Sequence, residues 1–323
     1  MRPRQLLSGM GGYSLPTWYI VFSMICLSRG QNNRPIPANP KITRLESDQK
    51  LGDFVISNSR NVYVGGTNVL YHLDGNLKVL ESLKTGPQMD STRCHASGES
   101  CGHVSKQLTD NFNKALVVDE ENEKLIVCGS VRQGSCSKYQ LSNISSQVEF
   151  LPVHVAANEA EASTFAFIGP QRYNRWGHGN VLYVGTTFTS NGDYRHDVPA
   201  ISSRNLHDLQ FAEYSVRYQS LLRIDVKYRD QFLVNYVYGF NSSSHIYFVT
   251  VQKQSHAAGE EEKGYITRLA RVCVTDANYD TYTEVTLQCN GTGTQVRSKK
   301  FSVMTYYLSS LMAVNYLIHM GVK

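Results

Sequence analysis

The sequence has no stretch with a sustained helical period; its apolar residues come in short runs separated by polar turns. This pattern favours β-strands over helices. The sequence also lacks long basic runs: 32 basic and 27 acidic residues give a net charge of +5, and basic residues never occur in runs longer than a pair. A nucleic-acid-binding surface concentrates its basic residues on one element, so we expect no nucleic-acid partner.

Catalytic motifs are also missing. There is no nucleophile elbow between a strand and a helix, no phosphate-binding loop and no HExxH sequence. Asp193, Arg195, His196 and Asp197 carry groups that could serve acid–base catalysis, but no other motif supports that interpretation. We therefore expect no enzyme activity and no cofactor. A secreted hydrolase is the alternative, and it would need converging carboxylates or a metal cluster.

One short segment contains zinc-binding groups, namely Cys94, His95, Cys101 and His103. The two cysteines are separated by six residues, whereas the paired ligands of structural zinc sites are separated by about two to four. We therefore expect no metal site and prefer a local disulfide across this loop.

The first thirty residues differ from the rest of the chain. A basic start is followed by an apolar stretch over residues 16–27, and the small residues Ser28 and Gly30 precede Gln31. These features predict a secretory signal peptide over residues 1–30, cleaved after Gly30. A signal anchor is the alternative, although the apolar stretch is shorter than the roughly 20 residues that span a membrane. The mature chain is therefore expected in the secretory pathway and outside the cell.

The cysteine and glycosylation patterns agree with export. Cys26 leaves with the signal peptide, and six cysteines remain: Cys94, Cys101, Cys128, Cys136, Cys273 and Cys289. An even number in a secreted chain implies disulfides, although the spacing alone does not give the pairing. Three sequons predict N-glycosylation at Asn143, Asn241 and Asn290.

A pattern of strands recurs four times along the chain. Apolar runs begin at Val62, Leu125, Leu182 and Ile246, so the steps between them are 63, 57 and 64 residues. Each run is preceded by another strand-like run with a polar turn and is followed by a further strand. Short strands at a fixed period are typical of a propeller or a solenoid, and four antiparallel strands would fill each repeat.

The third repeat contains a dense polar cluster. Asn191-Gly192 predicts a tight hairpin turn, and the candidate residues Asp193, Tyr194, Arg195, His196 and Asp197 follow it directly. The preferred interpretation is structural: Arg195 forms bidentate hydrogen bonds to a carboxylate and fixes the turn. Partner contact is the alternative, because exposed loops on a rigid scaffold commonly carry binding. Trp176, in the segment NRWGHG, is either a packed turn residue or an interface anchor.

Several motifs, in this order, resemble the Sema domain of plexins, the semaphorin receptors, with the class A branch the most similar. They are LTDNFNKALVVD, LIVCGSVRQGSC, VLYVGTTFTSNGDYRHDVPAISSR, VKYRDQFLVNYVYGF and YITRLARVC, and the resemblance covers residues 42–289. It implies an all-β fold, a seven-bladed β-propeller at the distal end of a large single-pass receptor, and semaphorins as protein ligands. It also implies the disulfides Cys94–Cys101 and Cys128–Cys136, and later cysteines as the partners of Cys273 and Cys289.

The sequence offers four repeats where the resemblance implies seven blades. We therefore expect residues 31–300 to form a partial Sema-type propeller whose last blade exposes an unpaired apolar side and which binds semaphorin weakly or not at all. Residues 301–323 are a divergent apolar tail, either an unrelated extension or a membrane-spanning helix. Any contact with a membrane is expected only through a parent receptor or through this tail.

The predicted function is that of the extracellular ligand-binding module of a plexin-like receptor in semaphorin–plexin signalling, as in axon guidance. A truncated secreted decoy that sequesters semaphorin is a further alternative to the hydrolase. A homodimer or a co-receptor contact is left open.

Overall fold

The computed structural model describes residues 44–99, 101–171, 179–255 and 259–287, and this part of the chain is dominated by four antiparallel sheets of four strands each. The first sheet contains β1 (Leu51–Ile56), β2 (Val62–Gly66), β3 (Val69–Leu73) and β4 (Val79–Lys84). The second contains β7 (Asn113–Asp119), β8 (Lys124–Gly129), β9 (Cys136–Gln140) and β10 (Glu149–Leu151). The third contains β11 (Thr164–Gln171), β12 (Gly179–Thr186), β13 (Ile201–Arg204) and β14 (Leu221–Leu222). The fourth contains β15 (Val234–Ser242), β16 (His245–Lys253), β17 (Tyr265–Cys273) and β18 (Thr283–Leu287).

The strands of every sheet pair in sequence order, so each sheet is an antiparallel meander. The repeats predicted at Val62, Leu125, Leu182 and Ile246 correspond to β2, β8, β12 and β16, the second strands of the four sheets. The predicted all-β fold with four repeats is therefore confirmed.

The second strands are buried on both faces. In β16, Ile246 and Phe248 pack into the core shared with the third sheet, whereas Tyr247 and Val249 belong to a separate apolar cluster. A strand that is covered on both sides has no solvent-facing positions, and this explains why these strands have nearly continuous apolar sequences instead of alternating ones.

Neighbouring sheets pack face to face around their first strands, with β1 against β7, β7 against β11 and β11 against β15. Two glycines allow the close approach of the third and fourth sheets. A Cβ atom on Gly185 would lie 2.3 Å from the ring of Tyr236, and one on Gly239 would lie 2.3 Å from the ring of Phe167. Radial stacking of four-stranded meanders through their first strands is the arrangement of a β-propeller.

The antiparallel order divides the strand connections between two ends of the sheets. One end carries the connections between the second and third strands and those between successive sheets; we call it the linker face. The other end carries the connections between first and second and between third and fourth strands; we call it the turn face. The first and second sheets are joined at the linker face, where the Asn68 N–H in the β2–β3 turn donates to the Asn111 carbonyl before β7 (2.9 Å).

The short helices and the extra ribbon all lie on the linker face. They are α1 (Val131–Gly134), α2 (Val226–Arg229), the 3-10 turns Arg195–Asp197 and Glu261–Lys263, and the two-stranded ribbon of β5 (Gln88–Asp90) and β6 (Gln107–Thr109). In the described ranges, no helix is long and apolar enough to cross a membrane.

The predicted hairpin at Asn191-Gly192 is wrong. Strand β12 ends at Thr186 and β13 begins at Ile201, and a long connection joins them. Gly192 does adopt a positive φ of 120°, and a Cβ atom there would also lie 2.2 Å from the carbonyl oxygen of Thr92. The glycine is required both by its positive φ and by the close approach of another segment, but it does not join two strands in a hairpin.

Disulfides join Cys94 to Cys101 and Cys128 to Cys136. Cys273 forms no disulfide within the described residues. The predicted signal peptide, Trp176, Cys289, the sequon at Asn290 and the tail at residues 301–323 lie outside the described residues.

Candidate functional site

Arg195 lies in the β12–β13 connection, on the linker face of the third sheet, and is only 1% exposed. Its Nε donates to Thr189 Oγ1 (2.9 Å), one terminal nitrogen donates to the Gln133 carbonyl (2.9 Å) and the other to the Ala156 carbonyl (3.0 Å). The predicted carboxylate partner is therefore wrong, because all three acceptors are neutral. The planar fork of donors in a guanidinium can bind acceptors from several directions at once, and here it joins three separate segments of the chain.

Amide and hydroxyl side chains extend this network. Thr189 Oγ1 donates to Asn158 Oδ1 (2.6 Å), and Asn158 Nδ2 donates to the Asn191 carbonyl (2.6 Å). Gln133 Nε2 donates to the Cys94 carbonyl (3.1 Å). The network thus connects the β12–β13 connection, the linker between the second and third sheets, and the loop closed by the Cys94–Cys101 disulfide.

The segment α1 supplies the Gln133 groups through an unusual backbone. Arg132, Gln133 and Gly134 have positive φ angles of 50°, 62° and 75°. A left-handed L-residue costs about 1–2 kcal/mol, and the hydrogen bonds of Gln133 offset that cost. A Cβ atom on Gly134 would lie 1.9 Å from the Ala156 carbonyl oxygen, so glycine is required where α1 contacts the linker.

A second buried arginine holds the same linker. Arg204, on β13, donates to the Leu209 carbonyl (2.9 Å) and to the His154 carbonyl (3.0 Å). Burial lowers the pKa of Arg204 to about 9 and that of Arg195 to about 10. Both guanidinium groups therefore remain charged at neutral pH, and the backbone carbonyls of the linker partly replace their lost hydration.

Three rings meet beside Arg195. The ring of His154 packs edge-on against His95 with 4.7 Å between centroids, and Tyr194 lies 5.1 Å from His95 and 5.6 Å from His154. We call His95, His154 and Tyr194 the histidine cluster. Burial, followed by the positive charge of neighbouring groups, lowers the pKa of His154 to about 4. His154 is therefore neutral at physiological pH.

The five candidate residues of the third repeat divide into a buried and an exposed set. Arg195 is buried and Tyr194 is half-buried, whereas Asp193, His196 and Asp197 are exposed on the linker face. A residue as buried as Arg195 cannot contact a partner directly. In this turn, Arg195 therefore makes structural contacts inside the protein, whereas Asp193, His196 and Asp197 are accessible to solvent.

The connection between the third and fourth sheets supports the exposed side. Arg229, in α2, donates to the His196 carbonyl (3.0 Å), and its guanidinium lies 5.2 Å from the centroid of the Phe188 ring. Beside it, Val226 and Tyr228 are 68% and 54% exposed. The VKYRD pattern of this segment gave no sign that Arg229 reaches the candidate turn.

Four members of the network were not predicted from the sequence: Gln133, Asn158, Thr189 and Arg204. Gln133 lies inside the quoted motif LIVCGSVRQGSC, whose glycines and polar residues signal a special loop. Nothing in the local pattern around Asn158 or Thr189 distinguishes them from ordinary loop residues.

The two described sequons lie at the other end of the sheets. Asn143 is exposed in the β9–β10 connection, and Asn241 is exposed near the β15–β16 connection. Both connections belong to the turn face. Glycans at these asparagines would therefore leave the linker face uncovered.

The linker face also contains a polar cleft of about 380 Å³ whose lining includes Asp90 and Asp110. Asp90 accepts a hydrogen bond from the Arg132 N–H (2.8 Å), and Asp110 accepts one from Asn68 Nδ2 (2.7 Å). These carboxylates thus take part in structural hydrogen bonds. Across the described residues, no group of three or more histidine, cysteine or acidic side chains is arranged to hold a metal ion.

Comparison with known proteins agrees with this architecture. No family model matches the chain. The chain is 30% identical over 256 residues to plexin-A2 of Homo sapiens, a match that covers 73% of the chain and 13% of plexin-A2. It is 28% identical over 285 residues to plexin-B2 of Mus musculus, covering 85% of the chain and 14% of plexin-B2. The solved structure of the full extracellular region of plexin A4 superposes with a TM-score of 0.61 at 26% identity, covering 76% of the chain and 29% of that structure.

The four radially stacked meanders define the chain as a Sema-type β-propeller segment. Its sequence and fold are plexin-like, and the resemblance that the motifs indicated is confirmed. The chain spans only about an eighth to a seventh of the length of the curated plexins that it matches. The predicted domain boundaries stay predictions.

Proposed function

We propose that the chain is an extracellular ligand-binding module of the plexin receptor type and that its ligand is a semaphorin. The observation that carries this proposal is the plexin likeness, which extends over about three quarters of the chain in both sequence and structure. The proposed role in semaphorin–plexin signalling and the proposed extracellular location rest on the same likeness, together with the predicted signal peptide.

We place the ligand contact on the linker face, at the exposed residues Asp193, His196 and Asp197. Two observations support this placement. The turn is held from beneath by Arg195 and from the side by Arg229, so little conformational entropy would be lost when a partner binds. The predicted glycans at Asn143 and Asn241 project from the opposite face, where they would not obstruct a partner.

A glycan placed on the linker face tests this proposal. Asn191 is exposed, and Asp193→Thr turns residues 191–193 into a sequon without changing a member of the buried network. We expect the glycosylated variant to be secreted normally and to lose binding to a panel of semaphorins in surface plasmon resonance, because a glycan at this position is bulky. The measurement is made on the secreted chain and on a plexin-A2 extracellular region that carries the chain in place of its matching segment.

The matched control is Asp193→Ala, which makes the same side-chain deletion without creating a sequon. Asp193→Ala gives the effect of losing the carboxylate alone, and recovery of binding to the level of this control after enzymatic removal of the glycan from Asp193→Thr would support the linker face as the contact. Undiminished binding by the fully glycosylated variant would refute the placement. Absence of binding by both unmodified proteins to every semaphorin would refute the proposed ligand.

A further inference from the structure

The histidine cluster joins three segments that are distant in sequence. His95 lies in the loop closed by the Cys94–Cys101 disulfide, His154 lies in the linker between β10 and β11, and Tyr194 lies in the candidate turn. Their ring centroids are 4.7–5.6 Å apart. The cluster is therefore a point at which the disulfide loop and the turn are held against the linker.

The surroundings of His154 disfavour its protonation. Its Nε2 is buried and has no hydrogen-bond partner. The charged or titratable groups that act on it are His95 from the disulfide loop, Arg195 and Asp197 from the turn, and Arg204 from β13. Among these, only Asp197 favours the protonated form, and it is exposed to solvent.

A metal ion does not explain the cluster. His95 and His154 pack edge to face, with an interplanar angle of 61°, instead of directing two nitrogen lone pairs at a common point. His95 Nδ1 is already within 2.9 Å of Ser97 Oγ. The neighbouring Arg195 and Arg204 would also repel a cation.

We propose that the histidine cluster is an acid-sensitive latch, which holds the disulfide loop and the 193–197 turn together at neutral pH and releases them in an acidic environment. Protonation of His154 would place a third cation near two buried guanidinium groups, while its Nε2 stays buried without a hydrogen-bond partner. Separation of the three rings admits water to that nitrogen and relieves the repulsion.

The direction of the effect follows from the two proton affinities. In the closed state the pKa of His154 is about 4, whereas an exposed histidine has a pKa of about 6.5. The open state therefore binds the proton more tightly, and the closed state loses stability as the pH falls from about 6.5 towards 4. Between pH 7.4 and 5.5 the opening equilibrium should increase as much as about tenfold by this linkage, and less where solvent partly screens the ring.

With such a latch, partner binding at the proposed ligand contact would depend on the pH of the cellular compartment. Tyr194 lies between Asp193 and the 195–197 turn, so opening of the cluster would disturb the exposed residues of the linker face. A partner bound outside the cell at neutral pH would then be released in acidic compartments, as histidine-based switches commonly operate. This consequence rests on the proposed function, whereas the latch itself does not.

Hydrogen exchange followed by mass spectrometry tests the latch on the secreted chain without any ligand. Exchange of peptides covering residues 94–101 and 190–198 is compared at pH 7.4 and 5.5, after correction for the intrinsic effect of pH. We expect protection in both peptides to fall severalfold, up to about tenfold, at pH 5.5. Peptides from the β16 core should change little.

The variant His154→Phe keeps an aromatic ring in the cluster but cannot be protonated, and it should lose the acid response. His196→Gln is the matched control, because this histidine lies on the same turn but is exposed, and it should retain the response. The proposal would be overturned if His154→Phe lost as much protection at pH 5.5 as the unmodified chain. It would also be overturned if the unmodified chain lost no protection at pH 5.5. Direct NMR titration of the unmodified protein gives an independent check, since a His154 pKa at or above 6 would also overturn it.

Semaphorin binding measured at both pH values separates the two proposals. Acid-induced exchange in a protein that binds no semaphorin would refute the proposed function and leave the latch supported. Semaphorin binding together with unchanged exchange at the two pH values would support the proposed function and refute the latch.

Discussion

Replacement of Arg195 by methionine removes a buried donor group on the linker face while keeping a side chain of similar length. Gln133 and Ala156 would each be left with a buried carbonyl that has lost its donor. A buried acceptor without a partner costs about 1–3 kcal/mol, so two of them cost about 2–6 kcal/mol. Relief from burying a charge offsets part of this. We therefore expect Arg195→Met to lower the free energy of unfolding by about 3 kcal/mol.

The assay combines secretion yield with urea unfolding of the purified protein. A loss of about 3 kcal/mol is a large fraction of a typical stability of about 5–15 kcal/mol, so secretion should fall severalfold. Arg195→Lys should be intermediate, because a single ammonium group cannot serve three acceptors with the geometry of a guanidinium. Arg93→Met is the control at an exposed arginine and should change stability by less than about 0.5 kcal/mol.

Two results would refute this reasoning about Arg195. An Arg195→Met protein that is secreted normally and unfolds at the unmodified urea concentration would show that the network does not hold the linker face. Normal stability combined with a specific loss of semaphorin affinity would identify Arg195 as a ligand contact, in contradiction to its burial.

Two further predictions concern backbone and cysteine positions. Gly134→Ala should cost more than about 3 kcal/mol in urea unfolding, because a positive φ combines with a Cβ contact of 1.9 Å. Gly98→Ala is its matched control, with φ at +79° but nothing within 4 Å, and should cost about 1 kcal/mol. Non-reducing peptide mapping should find no bridge from Cys273 to Cys289. Leu287 pairs with Thr267 on β17, which lies six positions and about 20 Å from Cys273 along the strand. The two residues from Leu287 to Cys289 span at most about 7 Å, so Cys289 cannot reach Cys273. A homogeneous Cys273–Cys289 bridge would show that β18 does not pair as described.

The strands were predictable because their signals are local. A strand that is buried on both faces needs several consecutive apolar residues, and the runs at β2, β8, β12 and β16 show this in the sequence itself. The regular steps between those runs then indicated repeated four-stranded units. Spacing alone did not fix the pairing of the four disulfide-bonded cysteines; a local bridge was preferred, and the family resemblance implied the same pairs.

The chemistry of the candidate turn was not predictable in the same way. Arg195 bonds to carbonyls 62 and 39 positions away in the chain, and a carbonyl has no residue-type signature that a sequence could reveal. The local expectation of a carboxylate partner was therefore wrong. Asn191-Gly192 carried a real turn signal, but the glycine is needed for the approach of Thr92, which belongs to a different segment.

The sequence by itself thus determined the strand content, the fourfold repeat and the plexin likeness, because burial and backbone preference act over neighbouring residues. Only the tertiary structure decided which side of the 193–197 turn is buried, which loops Arg195 and Arg204 hold, and that the described sequons lie on the face opposite to the turn. The physical reason is that these features depend on which chain segments meet at the ends of the sheets. That arrangement is set by the stacking of whole sheets and leaves no periodic trace in the sequence.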